Sequence, residues 1–291
     1  KSCLVLSDLP VAYKVQNFNV QNLSTIQRNW DAIKGAIERA VELINSFGID
    51  GNTLASANAV IPLAYYFIQH PNLTLFKETP FDAKNAAAVR CWITMALLNG
   101  VFGGSSDNIL SKIREVLRNN SGAEDYPFSE INAETARLGR LSYFNEQAVN
   151  DYLEITYDDR LSFLALSLLY DDNKWGTIKY HKDHIFPKSM FSWNYMHEAG
   201  FSRQQYLDYA GWKNSLANLE LLLSYENQEK LDTPFDRWLK TRDKTFLKRH
   251  LIPPDPELWK FENFEGFLAE REKLIRGRLE LLFGRVETKE D

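Results

Sequence analysis

The chain has 291 residues, of which 44% are hydrophobic and 25% charged, with a net charge of −5 at neutral pH. That balance excludes a disordered chain, a collagen-like or coiled-coil rod, and a uniformly basic nucleic-acid coat, while leaving room for a local cationic groove. The length is enough for a full core without disulfide staples, in one large or two modest domains.

The chain opens at Lys1, and Met95, Met190 and Met196 are its only methionines, so a fragment of a longer protein is expected. The apolar run 3–6 is cut short by Asp8 and Pro10 and does not read as a signal peptide. Ile26, Trp30, Ile33, Ile37, Val41 and Ile44 recur at intervals of three and four, predicting a helix with Ser24 and Gln27 as a capping box and Gly48 as its stop. A second helix is predicted over 53–70, bent or interrupted at Pro62. A third opens at Thr79-Pro80, where proline suits the first turn, and runs to about residue 100. Within it the apolar run 92–98 falls far short of the roughly 18 residues of a membrane span, and no membrane partner is expected. Gly100-Val101-Phe102-Gly103-Gly104-Ser105-Ser106 lacks the lysine of a phosphate loop and reads as a helix stop and loop. Two more helices follow over 106–118 and 128–140. The two cysteines, Cys3 and Cys91, are too few for a disulfide framework or a four-cysteine zinc site, which points to a reducing, cytoplasmic setting.

Residues 159–170 are apolar on nearly every side, as in a helix buried within a bundle. The pattern then changes. Ile178, Tyr180, His184 and Phe186 alternate over 177–186, a strand interrupted by Lys182 and stopped by Pro187. A helical stretch over 189–217 leads to a second strand at 219–223, then a helix capped by Ser224 and another opened by Thr233-Pro234. The final helix, 263–283, turns Phe264, Phe267, Leu268, Ile275, Leu279 and Leu282 inward and stops at Gly284. The expected protein is mainly α, with a helical domain at 1–125 and a second at 126–291 that embeds a small strand–strand–helix unit.

Three of the five histidines lie between positions 181 and 197, at the one segment that breaks the helical pattern. Its core is Tyr180-His181-Lys182-Asp183-His184-Ile185-Phe186-Pro187-Lys188-Ser189, followed by Asn218-Leu219-Glu220-Leu221-Leu222 and Asn227-Gln228-Glu229-Lys230. In a regular strand Asp183 and His184 point to opposite faces and can serve one site only where the strand ends. In an antiparallel pair Asn218 falls beside His184, where its amide could set the imidazole's orientation and tautomer; Asn214 competes for that role. The helix after the second strand would bring Asn227 toward Asp183. A carboxylate and an amide oxygen are hard donors suited to Mg²⁺, with Mn²⁺ an alternative, and His184 is then free to deprotonate a water. Lys230, one turn from Asn227, is placed to contact a phosphate.

These pieces, Asp-His-Ile-x-Pro, Asn-Leu-x-Leu-Leu and Asn-x-x-Lys, resemble the HNH (ββα-metal) endonuclease motif. More narrowly they look like the nuclease half of GmrSD-type modification-dependent restriction enzymes. Val15-Gln16-Asn17-Phe18-Asn19 and Ser56-Ala57-Asn58-Ala59-Val60-Ile61-Pro62 with Tyr65-Tyr66 look like the helical segment before that nuclease. The resemblance implies an antiphage, DNA-cutting, metal-dependent hydrolase with an HNH-like unit in a helical domain. Asp183 and Asn227 would be metal ligands, His184 the general base and Asn218 the residue steadying it, with Lys230 assisting. It also implies DNA with modified cytosines as target and an N-terminal NTP-binding half as partner. Compact members have a short loop between the strands, whereas here 189–217 intervene, and no cysteine pairs flank the site for a structural zinc.

Plainer readings stand beside these. An Asp-His dipeptide alone is more often a helix cap beside a half-buried histidine, and it is the downstream elements that favour the nuclease. His181, Lys182 and Lys188 read as flanking or substrate-side residues, and a His181–His184 zinc pair would need a helix. Arg237, Lys240, Arg242, Lys244, Lys248 and Arg249, opposed only by Asp243, form either a solvated helix face or a track for a DNA backbone, with Trp238 anchoring the helix. The rival function is a helical target-recognition or protein-interaction module whose nuclease-like site is inactive; site chemistry alone does not separate DNA from RNA.

Overall fold

The structure is a computed structural model that describes all residues except 13, 52, 74, 76–78, 124, 141–144, 171–177 and 284–291. Thr177 and Gly284, expected to bound a strand and the last helix, lie outside the described residues. The chain forms two compact units, Lys1–Phe144 and Asn145–Asp291. The expected break after residue 125 is displaced because the helix Phe128–Arg137 packs on Asp107–Asn119, which carries it into the first unit.

Unit 1 is helical: α1 (Ser2–Leu6), α2 (Val20–Arg28), α3 (Trp30–Ser46), α4 (Val60–Gln69), α5 (Pro80–Leu98), α6 (Asp107–Asn119) and α7 (Phe128–Arg137). The expected first helix is two. Asn19, not Ser24, caps α2 by accepting from the Asn22 N–H at 2.9 Å, and Ser24 lies inside that helix. The buried stripe of α3 is Ile33, Ala36, Ala40, Leu43 and Ile44, while Trp30 and Val41 are exposed. The two alanines allow α4 to approach closely, and α3 packs on α4. Arg39 on α3 then donates to the Phe67, Pro71 and Leu73 carbonyls at 3.0, 2.8 and 3.2 Å, satisfying the chain at the end of α4. Gly48 stops α3 with a φ of 79°, a left-handed conformation that costs other residues more. Pro62 does not interrupt α4. It sits in the first turn of α4, where its missing N–H has no intrahelical partner to lose. Thr79 caps α5 through the Asp82 N–H at 3.1 Å, with Pro80 as first helical residue.

Unit 2 contains α8 (Glu146–Leu153), α9 (Ser162–Ser167), β1 (Tyr180–His184), α10 (Trp193–Glu198), α11 (Arg203–Trp212), β2 (Leu219–Leu223), α12 (Ser224–Lys230), α13 (Phe235–Leu239), α14 (Lys244–Arg249) and α15 (Phe264–Phe283). β1 and β2 are an antiparallel pair in which Tyr180 faces Leu223, Asp183 faces Glu220 and His184 faces Leu219. β2 is apolar except for Glu220 and is buried, as a strand covered by helices must be; α9 and α12 both pack on it. Beyond β1 the core gathers on Phe186, fully buried, with the rings of Phe235, Phe267 and Phe264 at 4.7, 5.0 and 5.2 Å. α15 supplies two of these from a stripe at three- and four-residue spacing that also carries Arg271. At the start of α12 the Glu226 carboxylate accepts from the Leu223 N–H at 2.8 Å, whereas Ser224, expected as the cap, turns its hydroxyl toward His181 and the Lys179 carbonyl.

Among the described residues no helix is long and apolar enough to cross a membrane.

Candidate functional site

Alternation along β1 sorts the motif side chains. Lys182 and His184 share one face, Asp183 takes the other, and the strand ends at His184. What holds the strand's exit is Asn218. Its backbone carbonyl accepts from Ile185 N–H at 2.8 Å, its side-chain oxygen accepts from Phe186 N–H at 3.0 Å, and its amide nitrogen donates to the Lys213 carbonyl at 2.7 Å. Asn218 is fully buried and its amide is spent on backbone. It therefore does not hold the imidazole, which corrects the role drawn from its place opposite His184.

Asn214 does. Its Oδ1 lies 2.9 Å from His184 Nε2, and its Nδ2 donates to Asp158 Oδ2 at 3.2 Å. A carboxylate only accepts, so the amide must turn its NH₂ to Asp158 and its oxygen to the histidine. Nε2 then carries the proton, and the lone pair of the neutral ring is on Nδ1. The Tyr157 ring stacks on the imidazole, 4.6 Å between centroids and 20° between planes. On the same face of β1 the Lys182 ammonium lies 4.1 Å from the Tyr157 centroid and donates to Tyr157 O and, at 2.6 Å, to Ser162 Oγ. Burial lowers the His184 pKa, against the opposing effects of the Asn214 hydrogen bond and the Asp183 charge; Lys188 and Lys230 push the same way as burial.

On the opposite face the half-buried Asp183 carboxylate accepts from Lys230 Nζ at 2.6 Å. Lys230 is fully buried, and its ammonium also donates to the His184 carbonyl at 2.5 Å and to Glu220 Oε1 at 2.8 Å. All three of its protons are engaged, so Lys230 braces the strand from within and does not present its charge to a phosphate. Burial would raise the Glu220 pKa, but the Lys230 ammonium and His250 together hold it well below the usual carboxylate range. His250 Nδ1 stands 3.0 Å from Glu220 Oε2 and 3.1 Å from the Tyr170 hydroxyl, which accepts from Leu221 N–H at 2.9 Å. Behind them Arg271, also fully buried, donates to the Ala217, Leu219 and His250 carbonyls at 2.8, 2.7 and 3.1 Å.

Asn227 is half-buried on α12, one turn before Lys230, and α12 packs on β1. Among the described residues no group of three or more His, Cys, Asp or Glu side chains is placed to hold a metal ion. The donors that the motif would supply are one Asp183 oxygen left by Lys230 and the Asn227 amide oxygen. Such a sparse, hard set suits Mg²⁺, which keeps most of its waters, and does not suit the closed tetrahedral shell of a structural zinc.

The flanking residues divide. His181 is half-buried, with Nε2 3.1 Å from Ser224 Oγ, and Lys188 is exposed. In the basic stretch, Arg237, Lys240, Lys244 and Lys248 are exposed. Arg242 instead lies over the buried Trp238 ring at 4.0 Å and pairs with Glu229 at 2.9 Å, and Arg249 faces Glu226 at 3.6 Å.

Sequence reading passed over Tyr157, Asp158, Glu220, His250 and Arg271. Two of these had a visible signal. Glu220 is the one charge in an otherwise apolar strand, and Arg271 occupies an inner position of the α15 stripe, where an unpaired charge is not tolerated. Tyr157 and Asp158 had none, since they precede the motif and reach it only through the fold. In comparison with known proteins, the chain matches no family model and no curated protein.

Proposed function

We propose that unit 2 is a metal-dependent DNA endonuclease of the HNH (ββα-metal) kind, similar to the nuclease part of GmrSD-type modification-dependent restriction enzymes. The observation that carries this reading is the placement of His184: an imidazole at a strand end whose Nε2 faces the Asn214 amide oxygen, which leaves Nδ1 as the proton acceptor. The neighbouring Asp183 lies on the other face of the strand, so carboxylate and base flank the strand end from two sides. In this reading Nδ1 of His184 takes the proton from the attacking water, and Asn214 keeps the ring turned so that this nitrogen is the free one. Asp183 and Asn227 would hold Mg²⁺ or Mn²⁺, which when bound supplies positive charge to offset that developing on the phosphate. Asn218 and Lys230 hold the backbone at residues 184–186 in place. The exposed Lys188, Arg237, Lys240 and Lys244 are the side chains available to the DNA backbone. An NTP-binding half, modified cytosines and a cytoplasmic antiphage role come with the same resemblance.

The test is cleavage of modified and unmodified phage DNA by this chain, with and without Mg²⁺. A folded His184→Ala variant is expected to lose cleavage; one that cuts as fast as the parent removes the mechanism. The second reading, a recognition or interaction module with an inactive site, is favoured by the Lys230 ammonium already seated on Asp183. Calorimetry with Mg²⁺ or Mn²⁺ separates the two. Saturable binding lost in Asp183→Ala supports the enzyme, and no binding with or without DNA supports the module.

A further inference from the structure

The segment just before α9 closes over His184 from outside the motif, and it is built to stay there. Thr156 makes an isolated antiparallel bridge to Ser215, and Tyr157 N–H donates to the Asn214 carbonyl at 2.8 Å. Asp159 turns the segment by accepting from the Thr156 N–H and hydroxyl at 2.6 and 2.9 Å. Two side chains between these anchors then bear on the imidazole, Tyr157 directly and Asp158 through Asn214. The Tyr157 ring lies flat on it, and that ring is backed by the Lys182 ammonium. The Asp158 carboxylate takes the Asn214 amide nitrogen, and thereby dictates which end of that amide His184 meets.

We infer that Tyr157 and Asp158 are positioning residues for His184, Tyr157 fixing the plane of the ring and Asp158, acting through Asn214, fixing its tautomer. The physical reason is that an asparagine amide has no orientation of its own. Turned by 180°, it would offer NH₂ to Nε2, and the ring would then carry its proton on Nδ1. Asp158, though exposed, disfavours the turned state because a carboxylate facing the amide oxygen has no proton to share. Tyr157 does a different job, since a stacked ring limits tilt and excludes water from one face but does not choose between the two nitrogens. This inference rests on the nuclease reading for its purpose but not for its geometry.

The experiment is long-range ¹H–¹⁵N correlation on the ¹⁵N-histidine-labelled full chain at about pH 8, where an imidazole is neutral. His184 is assigned by the signal lost in His184→Ala. In the parent, His184 is expected to show a single Nε2–H tautomer. Asp158→Ala should replace this with a mixture or with Nδ1–H, Asp158→Asn, whose amide oxygen can still accept, should restore it, and Tyr157→Leu should leave the tautomer in place while broadening the ring signals. An unaltered Nε2–H signature in Asp158→Ala, with the Ile185 and Phe186 amide shifts in place, overturns the inference. If the parent also cuts DNA, Asp158→Ala is expected to lower kcat about 10- to 100-fold, the range seen when a support behind an active histidine is removed, with KM nearly unchanged. A parent that shows the tautomer relay but cuts nothing refutes the nuclease and supports the relay. A parent that cuts DNA but whose tautomer ignores Asp158 refutes the relay alone.

Discussion

Lys230→Met separates two roles for one residue. The side chain is fully buried and its ammonium is shared between Glu220, Asp183 and the His184 carbonyl. Methionine fills nearly the same volume, so packing is kept and the charge alone is removed. Glu220, fully buried, then keeps only the His250 contact at 3.0 Å. Breaking a buried ion pair by deleting one partner costs about 3–5 kcal/mol, because the remaining charge has no solvent to return to. Asp183 adds little, since its half-exposed carboxylate can be rehydrated. Taking ~4 kcal/mol and a urea slope of about 2 kcal/mol/M, the unfolding midpoint of unit 2 should fall by roughly 2 M. Because the chain has two units, hydrogen exchange at the Ile185 and Phe186 amides is the assay to run alongside, as it reports the β1 exit directly. The double variant Glu220→Gln/Lys230→Met, which removes both charges together, should recover more than half of the loss. A single variant that costs less than about 1 kcal/mol yet abolishes cleavage would refute the buried-brace account and return Lys230 to the substrate side.

Three further outcomes follow from the contacts around both units' buried polar groups. Asn218→Ala strands the Phe186 N–H and the Lys213 carbonyl in the interior and should cost about 2–4 kcal/mol, whereas Asn214→Ala, at a half-buried position, should cost under about 1 kcal/mol while abolishing cleavage; urea melts and a nicking assay on both variants test the split. Arg271→Met leaves the carbonyls of Ala217, Leu219 and His250 without their donor and should destabilise unit 2 by about 3–5 kcal/mol in the same melts. In unit 1, burial pushes the Tyr65 and Tyr66 hydroxyls up to about 12, helped by Asp8 at Tyr65 and by Asp125 at Tyr66. A folded pKa above the unfolded value near 10 means that their contribution is complete below about pH 10 and is lost as pH rises toward 12, so the thermal midpoint of unit 1 should fall across that window; phenolate absorbance near pH 10 in the folded protein that is lost in Tyr65→Phe or Tyr66→Phe would contradict it.

Several helices, the two strands and the order β1, β2, α12 are legible in the sequence because each is set by near neighbours, whereas α1 and α8 carry no stripe that marks them and the expected first helix is two. The 3.6-residue stripe of α15, the Thr79-Pro80 start of α5, the stop at Gly48 and the break at Pro187 are all local signals, readable without knowing what lies across the core. Where local signals competed, as between Asn19 and Ser24 for the head of α2, the backbone path before the helix chose. The composition of the site was legible to the same extent: Asp183, His184, an asparagine from the turn before β2 and a lysine from α12 do meet around the end of β1.

Which of them touches which was decided only by tertiary structure. Asn214 and Asn218 are both near the right place, and the tight turn at Leu216–Asn218 sends one amide to the imidazole and the other into the backbone. Lys230 reads as a reach toward solvent until Glu220, Asp183 and the His184 carbonyl are seen to enclose it. Tyr157 and Asp158 carry no mark in the sequence, since a stacked ring and a carboxylate behind an amide are defined by residues far away along the chain. Periodicity records how a segment relates to itself. Side-chain chemistry at a site depends on distances between segments, and only the packed chain sets those.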